Sequence, residues 1–206
     1  GKNETWFIIE TEKNANLSVG FNKKIDKKTF LKNLKNKTVE QLLNSFVVKP
    51  KDVFYIPAGT IHALNGKMLL LEVQQSSDIT YRIYDYDRLD PKTGRKRKLH
   101  KGFAVSSINF SNNQNVKIKY NSVGNELNPV IENNFFKIYY LKTNGKKIQK
   151  IFMNKSFWIF VCLEGLLSIH WENKKQPFKK GETFFIPSAL NFVNIIGHGE
   201  IIAITI

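Results

Sequence analysis

The sequence is short of cysteine, of acidic residues and of long apolar runs, and each shortage excludes something. A single cysteine, Cys162, rules out an intrachain disulfide, and its setting in Trp158-Ile-Phe-Val-Cys-Leu163 predicts a buried, unreactive thiol. No stretch approaches the roughly 20 consecutive apolar residues of a membrane-crossing helix. The first residues lack the pattern of a signal peptide. These features fit a cytoplasmic protein with no membrane partner. The signatures of several enzyme classes are also missing: there is no Gly-x-Ser-x-Gly elbow, P-loop, Cys-x-x-Cys or Gly-x-Gly-x-x-Gly. Acidic residues number 17 against 32 lysines and arginines, a net charge of +15. Such an excess points to nucleic acid when it comes with a recognition motif. Here the lysines are spread along the whole chain among asparagines. The densest run, Arg95 to Lys101, follows a Pro91-Lys-Thr-Gly94 turn and reads as a solvated loop edge. No nucleic-acid partner is expected, whereas a phosphorylated ligand would benefit from the positive field.

What is present is a supply of apolar and aromatic residues, 42% and 13%, sufficient for a core. Residues 5–10, 17–21, 53–56, 61–64, 68–74 and 79–84 read as strands, and 85–102 as a polar loop. Residues 26–34 and 38–46 read as short helices. The second is opened by a capping box in Thr38-Val-Glu-Gln41 and carries an apolar stripe of Leu42, Leu43 and Phe46. Beyond about residue 115 come strands near 116–120, 135–141, 157–163, 166–171, 183–186 and 200–206. A faint repeat links the halves: Lys180-Gly-Glu-Thr-Phe-Phe-Ile-Pro187-Ser aligns with Pro50-Lys-Asp-Val-Phe-Tyr-Ile-Pro57-Ala, and Phe192 stands where His62 stands. The expectation is a mainly β chain of two jelly-roll β-barrel units. The first, 1–110, has a helical insert near 26–46; the second, 111–206, is a degenerate copy that keeps the turn and loses the ligand.

The chemistry concentrates in the first unit. The run Val53 to Ile56 meets Pro57 and Gly59, which break the ladder and re-aim the chain, and His62 opens the next strand. Its neutral imidazole suits zinc or another divalent first-row metal. Glu72 follows Leu69-Leu-Leu71 and is an acid on a mostly buried strand, so it needs either a partner, Arg82 or a lysine, or a function as a base. Strand alternation over 79–84 places Arg82 on one face with Thr80 and Tyr84; the alternative is an edge arginine paired with Asp78 or Asp85. Asp78 and Arg88 flank this segment.

Taken together, Gly1-Lys-Asn-Glu4-Thr-Trp6, Ile56-Pro-Ala-Gly-Thr-Ile-His62-Ala-Leu64, Leu71-Glu-Val-Gln-Gln-Ser-Ser-Asp78 and Tyr81-Arg82-Ile-Tyr-Asp-Tyr-Asp-Arg88 resemble the cupin signature and, more narrowly, the type I mannose-6-phosphate isomerases. The resemblance covers most of the chain and is closest over 1–110. It implies two cupin-like units and a metal-dependent aldose–ketose isomerase that interconverts mannose 6-phosphate and fructose 6-phosphate through a cis-enediol. It implies Glu4 and His62 as ligands of Zn2+ or another divalent ion. Arg82 matches the family's active-site arginine, with Glu72 as a second catalytic candidate. Arg88 and Asp78 fall on the substrate side, Arg88 where a phosphate-proximal base is expected. The family's longer N-terminal section carries a Gln-x-His pair that also ligates the metal. No Gln-x-His occurs in these residues, so low metal occupancy is expected of this sequence, and a non-enzymatic sugar-binding or scaffold cupin stands as the alternative. No residue pattern specifies an oligomeric state.

Overall fold

The computed structural model describes residues 1–111, 115–145, 149–152 and 156–206. The chain divides into two compact units, Gly1–Lys117 and Ile118–Ile206. The first runs through β1 (Glu4–Thr11), β2 (Asn16–Phe21), α1 (Lys27–Lys35), a 3₁₀ turn (Val39–Leu42), β3 (Leu43–Val47), β4 (Val53–Ile56), β5 (His62–Asn65), β6 (Met68–Gln74), α2 (Lys101–Ser107) and β7 (Lys117–Ile118). One sheet has the order β6-β1-β4-β7 and the other β3-β2-β5. Because β1 has a partner on both edges, its backbone groups are satisfied there, and Glu4 to Ile8 are all buried. Trp6 and Ile8 of β1, Leu17 and Val19 of β2 and Phe54 and Ile56 of β4 form one core drawn from both sheets. Burying each such side chain contributes about 1.5–3 kcal/mol.

A second cluster joins the helical elements to the segment that carries Arg82. The Asp26 side chain caps α1 by accepting from the Thr29 N–H at 2.7 Å. Phe30 and Leu34, four residues apart on one helix face, then pack with Phe21, Val39, Leu42, Ile83, Ala104 and Val105. Ile83 thus anchors the stretch on which Arg82 and Tyr84 sit.

Three local expectations are corrected here. Residues 38–46 do not form a helix: a single 3₁₀ turn leads into β3, and the Thr38 hydroxyl bonds Asn33 Oδ1 at 2.8 Å in place of a backbone cap. The reason is tertiary. Leu17 pairs with Phe46 and Asn16 with Val47 across β2 and β3, which sets Phe46 against Phe54 with ring centroids 5.4 Å apart. Residues 79–84 have no ladder partner and are not a strand. Lys101–Ser107 forms a helix where a polar loop ending at 102 was expected, because Ala104 and Val105 find the second cluster.

The second unit runs through β8 (Leu127–Glu132), β9 (Lys137–Asn144), β10 (Gln149–Phe152), β11 (Trp158–Trp171), β12 (Lys174–Lys179), β13 (Thr183–Ile186) and β14 (Phe192–Thr205). Its sheet has the order β12-β11-β14-β9-β8, with β10 on β14 and β13 on β11. The runs 157–163 and 166–171 prove to be one long strand, β11, irregular only between Cys162 and Glu164. Phe160, Cys162, Ile169, Phe178, Val193, Ile195 and Ile201 make its core. Burial pushes the Cys162 thiol up to about 11, as its apolar setting led one to expect. The chain is mainly β, and no helix among the described residues is long and apolar enough to cross a membrane.

Candidate active site

Strand register places Glu4, Trp6 and Glu72 on one face of the first sheet, and His62 comes from the other sheet. In an antiparallel pair, residues directly opposite share a face. Trp6 lies opposite Glu72, and Glu4, two residues from Trp6, alternates onto Trp6's side. His62 lies opposite the buried Val19. What delivers His62 there is the turn at Pro57–Thr60, closed by the Thr60 N–H bonding the Pro57 carbonyl at 3.1 Å. Gly59 in that turn has φ +84°, and a Cβ there would lie 2.8 Å from the Ser107 carbonyl oxygen, so glycine alone fits. Glu4, Trp6, His62 and Glu72 all line one cavity of about 580 Å³.

The contacts give each group a chemical character. His62 Nδ1 lies 2.8 Å from the Thr60 carbonyl. A carbonyl only accepts, so Nδ1 donates; in the neutral imidazole this leaves the Nε2 lone pair for a metal. The ring meets Trp6 edge to face at 5.1 Å. Glu4 is 4% exposed. Its Oε2 accepts from Trp6 Nε1 at 3.2 Å, and its Oε1 lies 3.3 Å from Lys2 Nζ. Burial pushes the Glu4 carboxyl up. Glu72 beside it pushes the same way, and His62 and Lys2 oppose the shift without cancelling it. Lys2 Nζ also reaches Glu72 Oε1 at 3.1 Å and the Gln74 side-chain oxygen. Burial disfavours the Lys2 ammonium, but Glu72 and Glu4 more than compensate, and its pKa is raised.

Glu4 and His62 offer one carboxylate and one imidazole, both donor types that zinc accepts. The hydrogen bond from His62 Nδ1 to the Thr60 carbonyl is of the kind that orients an imidazole ligand. A catalytic zinc takes three protein donors. Among the described residues no group of three or more His, Cys, Asp or Glu is arranged to hold a metal, so these residues fit as part of a metal site.

A set of cations, Arg82, Arg88 and Arg97, lines the same cavity. Its hub is Asp85, a buried carboxylate. Arg97 Nε bonds Asp85 Oδ2 at 2.7 Å, and Arg97 Nη2 bonds Oδ1. Arg88 Nη2 donates to Oδ1 at 2.7 Å, and Arg82 Nε lies 3.9 Å away. The Arg97 hydrogen bonds first, then Arg88, hold the Asp85 carboxyl below the usual carboxylate range. The Arg82 backbone is fixed separately: its N–H meets His100 Nδ1 at 3.2 Å, and its carbonyl accepts from the His100 N–H at 2.7 Å.

Of the residues expected from sequence, Glu4, His62, Glu72, Arg82 and Arg88 come together on this cavity. Asp78 does not: it is exposed and stands off the cavity wall. The reading of Glu72 as an acid on a buried strand also needs correction, since β6 is half exposed and Leu69 lies 53% open. Its partner is the lysine Lys2. Two cavity residues, Lys2 and Arg97, were missed, and a third, Asp85, entered only as a partner. Lys2 shares the alternation of Glu4 and Trp6, a signal available in the motif itself. Asp85, an acid among arginines, was visible as a possible partner of Arg82. Arg97 read as part of a solvated loop, and nothing local marks it otherwise.

Comparison with known proteins bears on what this cavity belongs to. The family model for the mannose-6-phosphate isomerase cupin domain matches residues 125–206. Mannose-6-phosphate isomerase ManA of Bacillus subtilis is 32% identical over 204 residues, which make up 98% of this chain and 64% of that protein. Mannose-6-phosphate isomerase of Streptococcus mutans is 30% identical over 204 residues, 98% of this chain and 63% of that protein. The crystal structure of the mannose 6-phosphate isomerase from Bacillus subtilis matches at a TM-score of 0.90 and 33% identity, covering 100% of this chain and 65% of that one. The chain thus spans somewhat under two thirds of these relatives. By sequence and by fold it is similar to the mannose-6-phosphate isomerases, and its residues 125–206 match the cupin domain of that family.

Proposed function

We propose that this chain carries the sugar-binding cavity of a metal-dependent, cytoplasmic mannose-6-phosphate isomerase, with the chemistry in the first unit and the second unit a degenerate structural copy. The observation that carries the proposal is the meeting, on one cavity, of a carboxylate–imidazole pair, a second carboxylate held by a lysine, and a set of guanidiniums. An aldose–ketose isomerisation needs these three things. A base removes the proton at C2, negative charge develops on the sugar oxygen as the cis-enediol forms, and the proton returns at C1. Glu72 is the candidate base, a cavity-facing carboxylate complemented by the Lys2 ammonium. Arg82 faces the developing oxyanion, and Arg88 faces the phosphate end of the hexose. Glu4 and His62 would hold Zn2+ or another divalent ion, which when bound supplies Lewis acidity to the sugar oxygens.

The reading is tested by incubating the zinc-supplemented protein with mannose 6-phosphate in D2O. The expected product is fructose 6-phosphate carrying deuterium at C1. Sugar binding with no turnover at any metal loading would overturn the enzyme reading in favour of a sugar-binding cupin.

A further inference from the structure

Arg82, Arg88 and Arg97 reach one carboxylate from different points of the chain, and that convergence is more than is needed to neutralise Asp85. We propose that Asp85 is a positioning residue that holds the three guanidiniums as a single anion cradle, and that Arg97 is one of the groups in that cradle that contacts the substrate's phosphate. The proposal rests on the isomerase reading for its substrate, a phosphorylated hexose.

The donor geometry supports the assignment. Arg97 grips Asp85 in a two-point fork through Nε and Nη2, which fixes the plane of its guanidinium. Arg88 gives one Nη2 bond at 2.7 Å to the same carboxylate and an Nε bond at 3.4 Å to the Asp85 carbonyl. Arg82 stands 3.9 Å away and gives its Nη1 to the Lys98 carbonyl at 3.4 Å. A guanidinium has five N–H donors, so each of the three retains donors beyond those that hold it. Three positive charges face one negative charge, and the surplus lies on the cavity wall. The side chains of Arg82 and Arg97 are 33% and 32% exposed and that of Arg88 is 58% exposed, while that of Asp85 is 5% exposed. The carboxylate is therefore the buried hub, and the cations are its accessible rim. One arginine would have sufficed to satisfy a buried carboxylate; the spare donors of Arg88 and Arg97 match a phosphate dianion, and the same carboxylate sets Arg82 beside them for the sugar oxygen.

The backbone makes the same point. Tyr86 and Asp87 both lie in the left-handed region, at φ 55° and 56°, and the Arg88 N–H bonds the Asp85 carbonyl at 2.9 Å. This is a tight turn of the kind usually built from Gly, Asn and Asp, here with a tyrosine at its first central position. The strain is held from outside. Tyr86 donates its hydroxyl to Glu40 at 2.6 Å, and Asp87 pairs with Lys37 at 2.5 Å and Lys96 at 2.8 Å. The consequence is a fixed relation between Asp85 and Arg88, the two ends of the turn. Strained turns that persist under external clamps concentrate where geometry matters for function.

The proposal has a sign that separates it from simple electrostatics. If Asp85 only reduces the positive charge of the cavity, Asp85→Asn strengthens anion binding. If it positions the arginines, Asp85→Asn weakens binding despite the added positive charge, because an amide NH2 cannot accept from the guanidinium fork. Binding of inorganic phosphate to the intact chain, followed by calorimetry, reads this without turnover. Asp85→Asn and Arg97→Gln are each expected to weaken phosphate binding by about tenfold or more, with Asp85→Glu and Arg97→Lys recovering part of the loss. In turnover, both should raise KM for mannose 6-phosphate more than they lower kcat. Phosphate binding that is unchanged or tighter in a folded Asp85→Asn overturns the proposal, as does unchanged binding in Arg97→Gln or no phosphate binding by the parent chain. Should Asp85→Asn fail to fold, the Arg97 pair decides. A parent chain that binds phosphate but never isomerises the sugar sinks the isomerase reading and leaves the cradle standing. One that isomerises, with Arg97→Gln binding phosphate normally, sinks the cradle alone.

Discussion

The two units build the same turn and place different side chains after it. β4 ends at Ile56 and runs into Pro57, and β13 ends at Ile186 and runs into Pro187. In one, the Thr60 N–H closes on the Pro57 carbonyl at 3.1 Å; in the other, the Leu190 N–H closes on the Pro187 carbonyl at 3.3 Å. The strand that follows opens with His62 in the first unit and with Phe192 in the second. His62 faces a cavity with Glu4 and Glu72. Phe192 packs near Phe152 at 6.2 Å, under the ammonium of Lys150 at 3.8 Å, and the strand runs on into the core through Val193 and Ile195. The turn is thus a device of the scaffold, and what differs between the units is the side chain delivered after it.

The largest effect should come from copying the second unit into the first. His62→Phe should lower isomerase activity by more than the about 10–100-fold that losing a mere partner of a metal ligand costs, and should cut bound zinc measured by elemental analysis. The reverse change, Phe192→His, should alter neither. A His62→Phe protein that keeps its zinc would break the comparison, since the turn would then be delivering a structural residue in both units.

Next in size is Arg82, which has no counterpart role in the second unit. Arg82→Ala should reduce kcat by about 10²–10³, the usual cost of one transition-state contact, with a smaller change in KM. Arg82→Lys should recover part of it, because an ammonium lacks the planar fork. Near-normal kcat in a folded, metal-loaded Arg82→Ala would reduce Arg82 to a structural neighbour of Asp85 and His100.

What could be read from the sequence divides along the same line. The turn at Pro57–Gly59, the apolar runs of β1, β2 and β4 and the repeat at Pro187 are local patterns, and each marks an element the structure contains. Glu4 and His62 are spelled out in contiguous motifs. Asp85 and Arg97 are different: their pairing spans twelve residues of chain with no regular structure, and its sign and geometry appear only when Ile83, α1 and α2 close the second cluster. β3 was misread because Leu42, Leu43 and Phe46 satisfy a helical stripe on paper, while the pairing with β2 that overrides it is a long-range fact. Asp78 was carried by its motif alone, and the loop it occupies turns its side chain out to solvent.

The smallest effect concerns the turn itself and reads out as stability. Gly59 and Ala189 occupy the same place in the two turns, the third residue of four. Gly59 is in the left-handed region, and its carbonyl accepts from the Asn109 N–H at 2.9 Å, tying the turn to the end of α2. Ala189 is not among the residues with positive φ, so its turn tolerates a Cβ. Gly59→Ala therefore meets both a strained φ and a contact of 2.8 Å with the Ser107 carbonyl, a backbone atom that cannot swing away. The expected cost is about 1–3 kcal/mol, or a fall in Tm of roughly 2–4 °C for each kcal/mol in a chain of this size. Ala189→Gly should cost only about 0.4–1 kcal/mol, through the added freedom of the unfolded chain. Thermal scans of the two variants beside the parent chain compare the turns directly. If Gly59→Ala melts no lower than Ala189→Gly, the first turn is as permissive as the second, and the tie between Gly59, Ser107 and Asn109 has no part in delivering His62 to the cavity.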